Sequence, residues 1–327
     1  MEAAGPLMDG FPHIRDDATV YLAAGQGTDP TGALAGLREG TNTALPAGSW
    51  DVAGEVLAEV TQAMACHGYR AHAALRDVLL GRRPAGTAPH GTSMLAQFAA
   101  SVALSRILAR AGTVPSLIVS QSLGECAALV AAGALTIAEG TRLVCALSDV
   151  YRRPGTRGAL VLVQAGEAET QALLARTARD DLALACVNTP RQTVVSGTTD
   201  AAAALMALAG PRRKMLPVPL RAHDPALWEY RDLFLSLVGE VDQRPLRVPV
   251  YSSTRRRCYT EGDKLGEALA DNWVMPAYSI DAFIRLAPPR GRLFIELGIG
   301  RALAHAVGEV LPGAHTLTPL GPPGAGR

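Results

Sequence analysis

The amino-acid sequence predicts an α/β protein in which a small domain is inserted into a larger one. Short apolar runs alternate with longer stretches of helical periodicity along most of the chain, which is typical of α/β architectures. Residues 156–220 follow a different rhythm, β-α-β-β-α-β. We therefore expect a large α/β domain made of residues 1–155 and 221–327, and a small domain made of residues 156–220.

The large domain is predicted from apolar runs and from helical spacing on both sides of the insertion. Thr92 or Ser93 is expected to cap the helix that follows the glycine- and proline-rich loop. Before the insertion, the predicted elements are the strand TVYLAA (19–24), helices over 48–65, 69–81 and 94–112, and the strand SLIV (116–119). After it, they are helices over 225–241 and 300–311 and strands over 248–253 and 292–297.

The small domain is predicted from six short elements. The order β-α-β-β-α-β is the signature of a ferredoxin-like domain. Thr198 or Thr199 is expected near the cap of its second helix. The strands are ALVLVQ, LALACVN, QTVVSG and RKMLPVPL, and the helices are EAETQALLARTA and TDAAAALMALAG.

Composition excludes several classes of function. A formal net charge of +1 over 327 residues gives no global attraction to nucleic acid. The five cysteines are widely spaced and form no metal-ligand pattern, so we expect free thiols and no metal site. The N-terminal sequence lacks the features of a signal peptide, and no apolar run approaches the roughly 20 residues that span a membrane. These observations favour a cytoplasmic protein with no membrane partner.

Ser122 lies where a short strand turns sharply into an alanine-rich helix, in SLIVSQSLGECAALVAAGAL (116–135). A serine at such a turn is close to unpaired N–H groups at the helix start, and the N–H of Leu123 could bind an oxyanion. The usual nucleophile motif begins with glycine, which Ser120 replaces. An ordinary serine N-cap therefore remains an alternative.

A nucleophilic serine needs a base. His223, in LRAHDPAL, lies just beyond the last strand of the small domain, where the chain re-enters the large domain. Such a junction is a natural cleft. A histidine near the cap of the following helix is the alternative. The other candidates are His13, His67, His72, His90, His305 and His315.

The chain resembles malonyl-CoA:acyl carrier protein transacylases and the related acyltransferase domains of polyketide synthases. The resemblance runs from about residue 18 to 310. It implies an α/β-hydrolase-like large domain. The motifs that carry it, in family order, are YLAAGQGT, SQSLGECAALVAAGAL, VNTPRQTVVSG, LRAHDPAL, DNWVMPAYSIDAF and IELGIGRAL.

This resemblance implies a ping-pong acyl transfer by a Ser/His dyad. Ser122 would be acylated by a donor thioester and then attacked by the phosphopantetheine thiol of an acyl carrier protein. His223 would act as general base and acid, and the N–H groups of Gln26 and Leu123 would form an oxyanion hole. Asn272 matches the position whose carbonyl steers the histidine. No cofactor of the enzyme itself is implied.

The acyl-binding positions depart from the family pattern. Gln121 replaces the histidine that precedes the nucleophile. The arginine that clamps a malonyl carboxylate aligns with Leu147, and the glutamine beside it aligns with Met94. We expect both apolar side chains to face the acyl chamber, where a buried carboxylate without a partner costs several kcal/mol. Malonate is therefore disfavoured as a substrate.

That pattern resembles the discrete acyltransferases of macrolactam polyketide pathways, which move an aminoacyl or dipeptidyl starter unit between carrier proteins. We expect such a trans-acting enzyme, as a monomer, to dock carriers on basic surface. The candidate docking residues are Arg153, Arg212, Arg213 and Arg301, with Met206 as an apolar contact. Solvated surface charge and, for Met206, core packing are the alternatives.

Three further functions compete with this prediction. One is an ordinary malonyl-CoA:acyl carrier protein transacylase. Another is a hydrolase that releases acyl groups from carriers to water. The third is a non-catalytic docking protein, against which the retention of Ser122, His223 and Gln26 argues.

Overall fold

A computed structural model describes residues 11–69, 72–208, 210–289 and 291–321. Its strands are β1 Thr19–Ala23, β2 Leu117–Ser120, β3 Ala159–Val163, β4 Leu182–Thr189, β5 Gln192–Gly197, β6 Arg213–Met215, β7 Val250–Ser252, β8 Arg257–Cys258, β9 Ala277–Tyr278, β10 Leu293–Leu297 and β11 His315–Leu317. Its α-helices are α1 Ala35–Glu39, α2 Ser49–Cys66, α3 His72–Leu79, α4 Thr92–Arg110, α5 Gly124–Ala131, α6 Ile137–Val150, α7 Glu167–Thr177, α8 Thr199–Ala207, α9 Trp228–Val238, α10 Leu265–Val274, α11 Ile280–Arg285 and α12 Ala302–Val310.

The larger sheet has the strand order β11-β10-β1-β2-β7-β8. All neighbouring strands are parallel except β7 and β8. The side chains of β1 alternate between two hydrophobic cores, one on each face of the sheet. Tyr21 and Ala23 pack into one core, and Val20 and Leu22 pack into the other. A parallel sheet that is covered on both faces is the α/β arrangement that the sequence predicts.

The smaller sheet has the strand order β6-β3-β5-β4-β9. Strands β6, β3, β5 and β4 are antiparallel, and with α7 and α8 they follow the predicted order of elements. Thr198 is the cap of α8, since its hydroxyl accepts from the N–H of Ala201. The sequence did not indicate β9, a two-residue strand that extends this sheet from beyond residue 220.

The two ends of the predicted insertion lie side by side. Arg157 and Leu220 form an isolated antiparallel bridge. The N–H of Arg221 donates to the carbonyl of Thr156 over 2.8 Å. The chain thus leaves and re-enters the part of the fold built on the larger sheet at one place, and the boundaries at 156 and 220 stay a prediction.

Helix α4 crosses the core of the large domain. Contrary to the expectation that no apolar run approaches membrane-spanning length, α4 is long and apolar enough by composition, the one such helix among the described ranges. Its apolar stretch is 83% buried inside the fold, as in the core helix of a soluble protein. The N-cap of this helix is Gly91, which has a left-handed backbone conformation. The prediction that Thr92 or Ser93 caps the helix was therefore wrong. The Thr92 hydroxyl instead donates to the carbonyl of Pro89. The signal-peptide expectation falls largely on residues 1–10, which lie outside the described residues.

Candidate active site

Ser122 occupies a sharp turn between β2 and α5, with a φ of +56°. A residue other than glycine pays of order 1–3 kcal/mol for this left-handed conformation. Two hydrogen bonds hold the turn. The N–H of Gln121 donates to the carbonyl of Ala23 over 3.0 Å, and the side-chain amide of Asn272 donates to the carbonyl of Ser122 over 2.9 Å.

The turn packs directly against the end of β1, and glycines make that approach possible. A Cβ added at Gly124 would lie 2.1 Å from the carbonyl oxygen of Ala23. Ser120 is fully buried, and its hydroxyl donates to the carbonyl of Tyr251 over 2.8 Å. The serine that replaces the expected glycine therefore has a satisfied hydroxyl and leaves the turn intact.

His223 follows β6 on a loop and also has a left-handed backbone, with a φ of +54°. Its Nδ1 lies 2.9 Å from the carbonyl oxygen of Met275, which can only accept, so the proton is on Nδ1. Its Nε2 has no hydrogen-bond partner among the described residues. Burial lowers the pKa of His223 to about 4, against the smaller raising effects of the Met275 and Asn272 carbonyls. The ring is thus neutral, with a free basic nitrogen.

The prediction for Asn272 needs correction. The carbonyl that binds the histidine ring within 2.9 Å belongs to Met275, three residues further along the chain. The backbone of Asn272 also raises the pKa of His223, but by less than the backbone of Met275 does. The Asn272 side chain instead holds Ser122, while its Oδ1 accepts from the hydroxyl of Thr254 over 2.8 Å.

Gln26 and Leu123 are the residues predicted to form the oxyanion hole. Gln26 follows β1, and Leu123 precedes α5. Both line the cavity that contains Ser122. Neither main-chain N–H donates to another described residue. Two free donors at this place match the requirement for an oxyanion hole, and the assignment stays a prediction.

Ser122 and His223 line one cavity of about 140 Å³ between the two domains. Leu147 and Gln121 line it as well, and Leu147 is 1% exposed. Met94 does not. It lies, 4% exposed, in a neighbouring cleft of about 390 Å³ that shares Gln26 with the first cavity. The expectation that Leu147 and Met94 face one chamber was therefore wrong for Met94, because α4 directs that side chain to the adjoining cleft.

A chain of three amides that links the domains forms part of the polar wall of the cavity. Gln121 donates to the Oδ1 of Asn188 over 2.9 Å, and Asn188 donates to the Oε1 of Gln192 over 3.1 Å. Glu296, the one carboxylate of the wall, accepts from the N–H of Ala304, and burial raises its pKa to about 7. No arginine or lysine is among the described residues that line the cavity.

Sequence reasoning missed the roles of Asn188, Gln192, Glu296 and Met275. The first two lie in VNTPRQTVVSG and Glu296 in IELGIG, so the resemblance had marked both segments without assigning them. Met275 acts through its main-chain carbonyl, for which no side-chain signal exists.

The predicted docking residues differ in their surroundings. Arg153, Arg212 and Arg301 are exposed, and none forms an ion pair with another described residue. Arg213 is only half-exposed, and its Nη2 donates to the carbonyl of Leu208. Met206 is half-buried against the core of the small domain, which favours packing over docking.

No described residues form a cluster of three or more His, Cys, Asp and Glu side chains that could hold a metal ion. The five cysteines are free thiols. Only Cys66 is exposed, and the other four are buried.

Comparison with known proteins identifies the family. The family model that describes the acyl transferase domain matches residues 52–316 of this chain. Spectinabilin polyketide synthase system protein NorB of Streptomyces orinoci is 34% identical over 239 residues, which are 70% of this chain and 11% of that protein. Erythronolide synthase EryA3 of Saccharopolyspora erythraea is 30% identical over 217 residues, 65% of this chain and 7% of that protein. The chain thus spans only a small part of the length of these relatives.

Solved structures agree with this assignment. The acyltransferase domain from the second module of the salinomycin polyketide synthase superposes with a TM-score of 0.75 at 27% identity, covering 97% of this chain and 72% of that one. The malonyl CoA-acyl carrier protein transacylase from Coxiella burnetii has a TM-score of 0.79 over 93% of this chain and 94% of that one, and its 24% identity shows the shared fold alone. On the family match and these likenesses, the chain belongs to the acyl transferase domain family.

Proposed function

We propose that this protein is a trans-acting acyltransferase of polyketide biosynthesis that carries an acyl group on Ser122 between acyl carrier proteins. The observation that carries the proposal is the shared cavity of Ser122 and His223. Both residues have left-handed backbones, and the His223 Nε2 has no partner among the described residues. Strained conformations persist where the surroundings enforce them, and they cluster at active sites.

The reaction follows from these groups. The Nε2 of His223 takes the proton of the Ser122 hydroxyl as the oxygen attacks the thioester carbonyl of the donor. The N–H groups of Gln26 and Leu123 stabilise the oxyanion. The carbon–sulfur bond then breaks, and the imidazolium returns its proton to the departing thiolate. A second carrier thiol repeats these steps in reverse and regenerates the serine. The phosphopantetheine arm is a substrate, and the enzyme needs no cofactor of its own.

The wall of the cavity supports an acyl group without a carboxylate. Leu147 offers no hydrogen bond, and no cation is among the described lining residues. Among the described lining residues, the one acidic group that malonate would meet is the carboxyl of Glu296, whose pKa burial raises to about 7. An unpaired carboxylate buried beside it would lose its hydration without compensation.

The amide chain supports an aminoacyl or dipeptidyl group. Gln121 and Gln192 are its two ends, and neither the Oε1 of Gln121 nor the Nε2 of Gln192 forms a hydrogen bond with another described residue. Whichever way the amides are assigned, one end offers an acceptor and the other a donor. A peptide bond has the complementary pair, an N–H and a carbonyl.

Arg153, Arg212 and Arg301 are proposed to dock an acidic helix of the carrier. Arg153 lies two residues from Tyr151, and Arg301 adjoins Ala302, and both of those neighbours line the cavity. The docking surface would thus surround the entrance for the phosphopantetheine arm. We further propose that the enzyme is a cytoplasmic monomer.

An ordinary malonyl-CoA:acyl carrier protein transacylase remains the second candidate, because the fold is shared with proteins of that name. Mass spectrometry separates the two functions. The purified protein is incubated with malonyl-CoA and with an alanyl or dipeptidyl pantetheine thioester, and the adduct on Ser122 is measured over time. We expect an adduct from the aminoacyl donor and none in the Ser122→Ala variant. An adduct formed at the normal rate by Ser122→Ala would disprove the assigned nucleophile.

Product analysis separates transfer from hydrolysis. With a carrier thiol present, we expect the acyl group on the carrier. Free acid as the main product, with or without the thiol, would identify a hydrolase instead.

A further inference from the structure

We infer that Ser196, Asp224 and Arg221 form a positioning cluster through which the small domain holds the base His223 in place. The inference rests on the proposed function, because it assigns a role in the acylation of Ser122. None of the three residues lines the cavity. They would act through the backbone on both sides of the histidine.

A continuous set of hydrogen bonds connects strand β5 to this backbone. The N–H of Ala222 donates to the Ser196 hydroxyl over 3.2 Å, and that hydroxyl donates to the Oδ2 of Asp224 over 3.3 Å. The Nε of Arg221 donates to the same Oδ2 over 2.8 Å. The N–H of Ala226 donates to the Oδ1 over 3.0 Å. Both residues that adjoin His223 are therefore bound to one cluster.

The cluster is buried and closely packed. The side chains of Arg221 and Asp224 are 12% and 3% exposed. The Arg221 side chain packs against Gly158, which in turn lies against the backbone of Gly197. A Cβ added at Gly158 would lie 2.5 Å from the Arg221 Cγ and 2.2 Å from the carbonyl oxygen of Gly197. Packing of this kind leaves the arginine little freedom to move.

His223 itself is bound to the other domain. Its N–H donates to the carbonyl of Trp273 over 2.7 Å, and its Nδ1 donates to the carbonyl of Met275. The neighbours of His223 are thus held by the small domain, and the ring is held by the end of α10. The left-handed backbone of His223, with a φ of +54°, costs free energy for a residue other than glycine, and these two supports offset that cost.

The position of Nε2 depends on this arrangement. A displacement of about 1 Å in a catalytic group can reduce a rate by about 10²-fold. Loss of the cluster would let the loop relax toward an ordinary conformation and would turn Nε2 away from the Ser122 hydroxyl. The thioester would still enter the cavity, because none of the cluster residues lines it. The rate of acylation should fall, and donor binding should not.

Two conservative variants test the inference. Asp224→Asn keeps the shape of the side chain and removes its charge, and Ser196→Ala removes the link to β5. Thr193→Val is the matched control for the serine, because Thr193 is a buried hydroxyl of the same strand that bonds Thr170 instead. Asp263→Asn is the control for the aspartate, since Asp263 is buried and pairs with Arg255 and Arg257 outside the cavity.

The measurement is single-turnover acylation of Ser122 from an acetyl-pantetheine thioester, over a range of concentrations and with thermal unfolding of each variant. We expect the maximal rate to fall at least about tenfold in Asp224→Asn and Ser196→Ala. We expect the half-saturating concentration to change less than about twofold, and both controls to keep the wild-type rate.

The outcomes distinguish this inference from the proposed function. Wild-type maximal rates in both cluster variants would overturn the positioning role alone. A change confined to the half-saturating concentration would overturn it as well, because it would indicate a role in binding. No adduct on the wild-type protein from any thioester would overturn the proposed function itself.

Discussion

The side-chain amide of Asn272 donates a 2.9 Å hydrogen bond to the main-chain carbonyl of Ser122. Three residues later, the carbonyl of Met275 accepts from the ring of His223. One short segment at the end of α10 therefore sets the position of both the proposed nucleophile and the proposed base. The distance between them therefore depends in part on the Asn272 side chain and on the Met275 carbonyl, which lie three residues apart.

Asn272→Ala should consequently reduce catalysis as well as stability. The substitution removes the donor to Ser122 and the acceptor for Thr254, so a half-buried hydroxyl loses its partner and the Ser122 carbonyl keeps only the N–H of Glu125. We expect a loss of about 1–3 kcal/mol in the free energy of unfolding and an acylation rate lower by about tenfold or more. Urea titration and single-turnover acylation measure the two effects.

Asn42→Ala is the control, because the Asn42 amide also donates over 2.9 Å to a carbonyl, that of Pro319, outside the cavity. An unchanged acylation rate in a folded Asn272→Ala protein would show that this bond does not position Ser122.

The acylation rate should depend on pH through His223. Burial lowers the pKa of His223 from 6.5 to about 4, so the neutral ring persists as the pH falls below 6.5 and is lost only near pH 4. Because the base must be neutral, we expect a nearly constant acylation rate between about pH 8 and pH 5 and a decline toward pH 4. Rapid-quench measurements with one thioester give the profile. A midpoint near pH 6.5 would mean that the ring is solvated in the working enzyme.

Glu125 should make the protein less stable as the pH rises. It is fully buried in the first turn of α5, where Tyr259 donates to its Oε1 and its Oε2 has no partner among the described residues. Burial raises the pKa of Glu125 from 4.5 to about 7. In the unfolded chain the carboxyl ionises above pH 4.5, whereas in the fold it stays protonated up to about pH 7. The contribution of this carboxyl to the free energy of unfolding is therefore fully present below pH 4.5 and is lost as the pH rises through 7.

Glu125→Gln keeps an acceptor for Tyr259 and removes this ionisation. As the pH rises from about 4.5 to about 8, the free energy of unfolding of the wild-type protein should therefore fall by about 3 kcal/mol relative to that of the variant. Urea titrations of both proteins at the two pH values test this. Parallel pH profiles would show that the carboxyl ionises freely in the fold.

Much of the fold could be predicted because its elements are long or strongly apolar. β1, β2 and α4 are buried along their length, and the turn at Ser122 lies where a strand pattern meets a helix pattern. The two-residue β9 is too short to show a period, so its pairing with the small sheet had no signal.

The site was predicted less completely, for physical reasons. Ser122, His223 and Leu147 are side chains at recognisable positions, and the structure brings them together in one cavity. The partner of His223 is the main-chain carbonyl of Met275, 52 residues away, and any residue could supply it. Met94 was misplaced because helical position alone does not tell which of two adjoining cavities a side chain enters.

Reversal of the charge on the proposed docking surface should affect carriers selectively. Arg153→Glu and Arg301→Glu should each slow transfer to an acyl carrier protein severalfold, and added salt should weaken the wild-type reaction. Transfer to free pantetheine should be unchanged, because that thiol needs no docking surface. Arg244→Glu is the control, since Arg244 is also exposed and lines neither of the two clefts around Gln26. Equal losses with both acceptors would indicate a folding defect.

The choice of acyl group should depend on Leu147. This residue is buried on α6 and lines the cavity of Ser122, where a malonyl carboxylate would find no described cation. Each 1.4 kcal/mol of uncompensated burial is a factor of about ten, so malonylation of Ser122 should be slower than aminoacylation by about 10²-fold or more. Competing malonyl and alanyl pantetheine thioesters, with the adducts counted by mass spectrometry, measure this ratio directly.

Leu147→Arg should shift the ratio toward malonyl, because the guanidinium supplies the missing partner for the carboxylate. The aminoacyl rate should fall in the same variant, since the longer side chain takes up part of a cavity of about 140 Å³. Leu147→Met is the control, because it keeps an apolar side chain of similar volume and should preserve the wild-type preference. Rapid malonylation of the wild-type protein from malonyl-CoA would refute the assigned acyl class and would identify an ordinary malonyl transacylase.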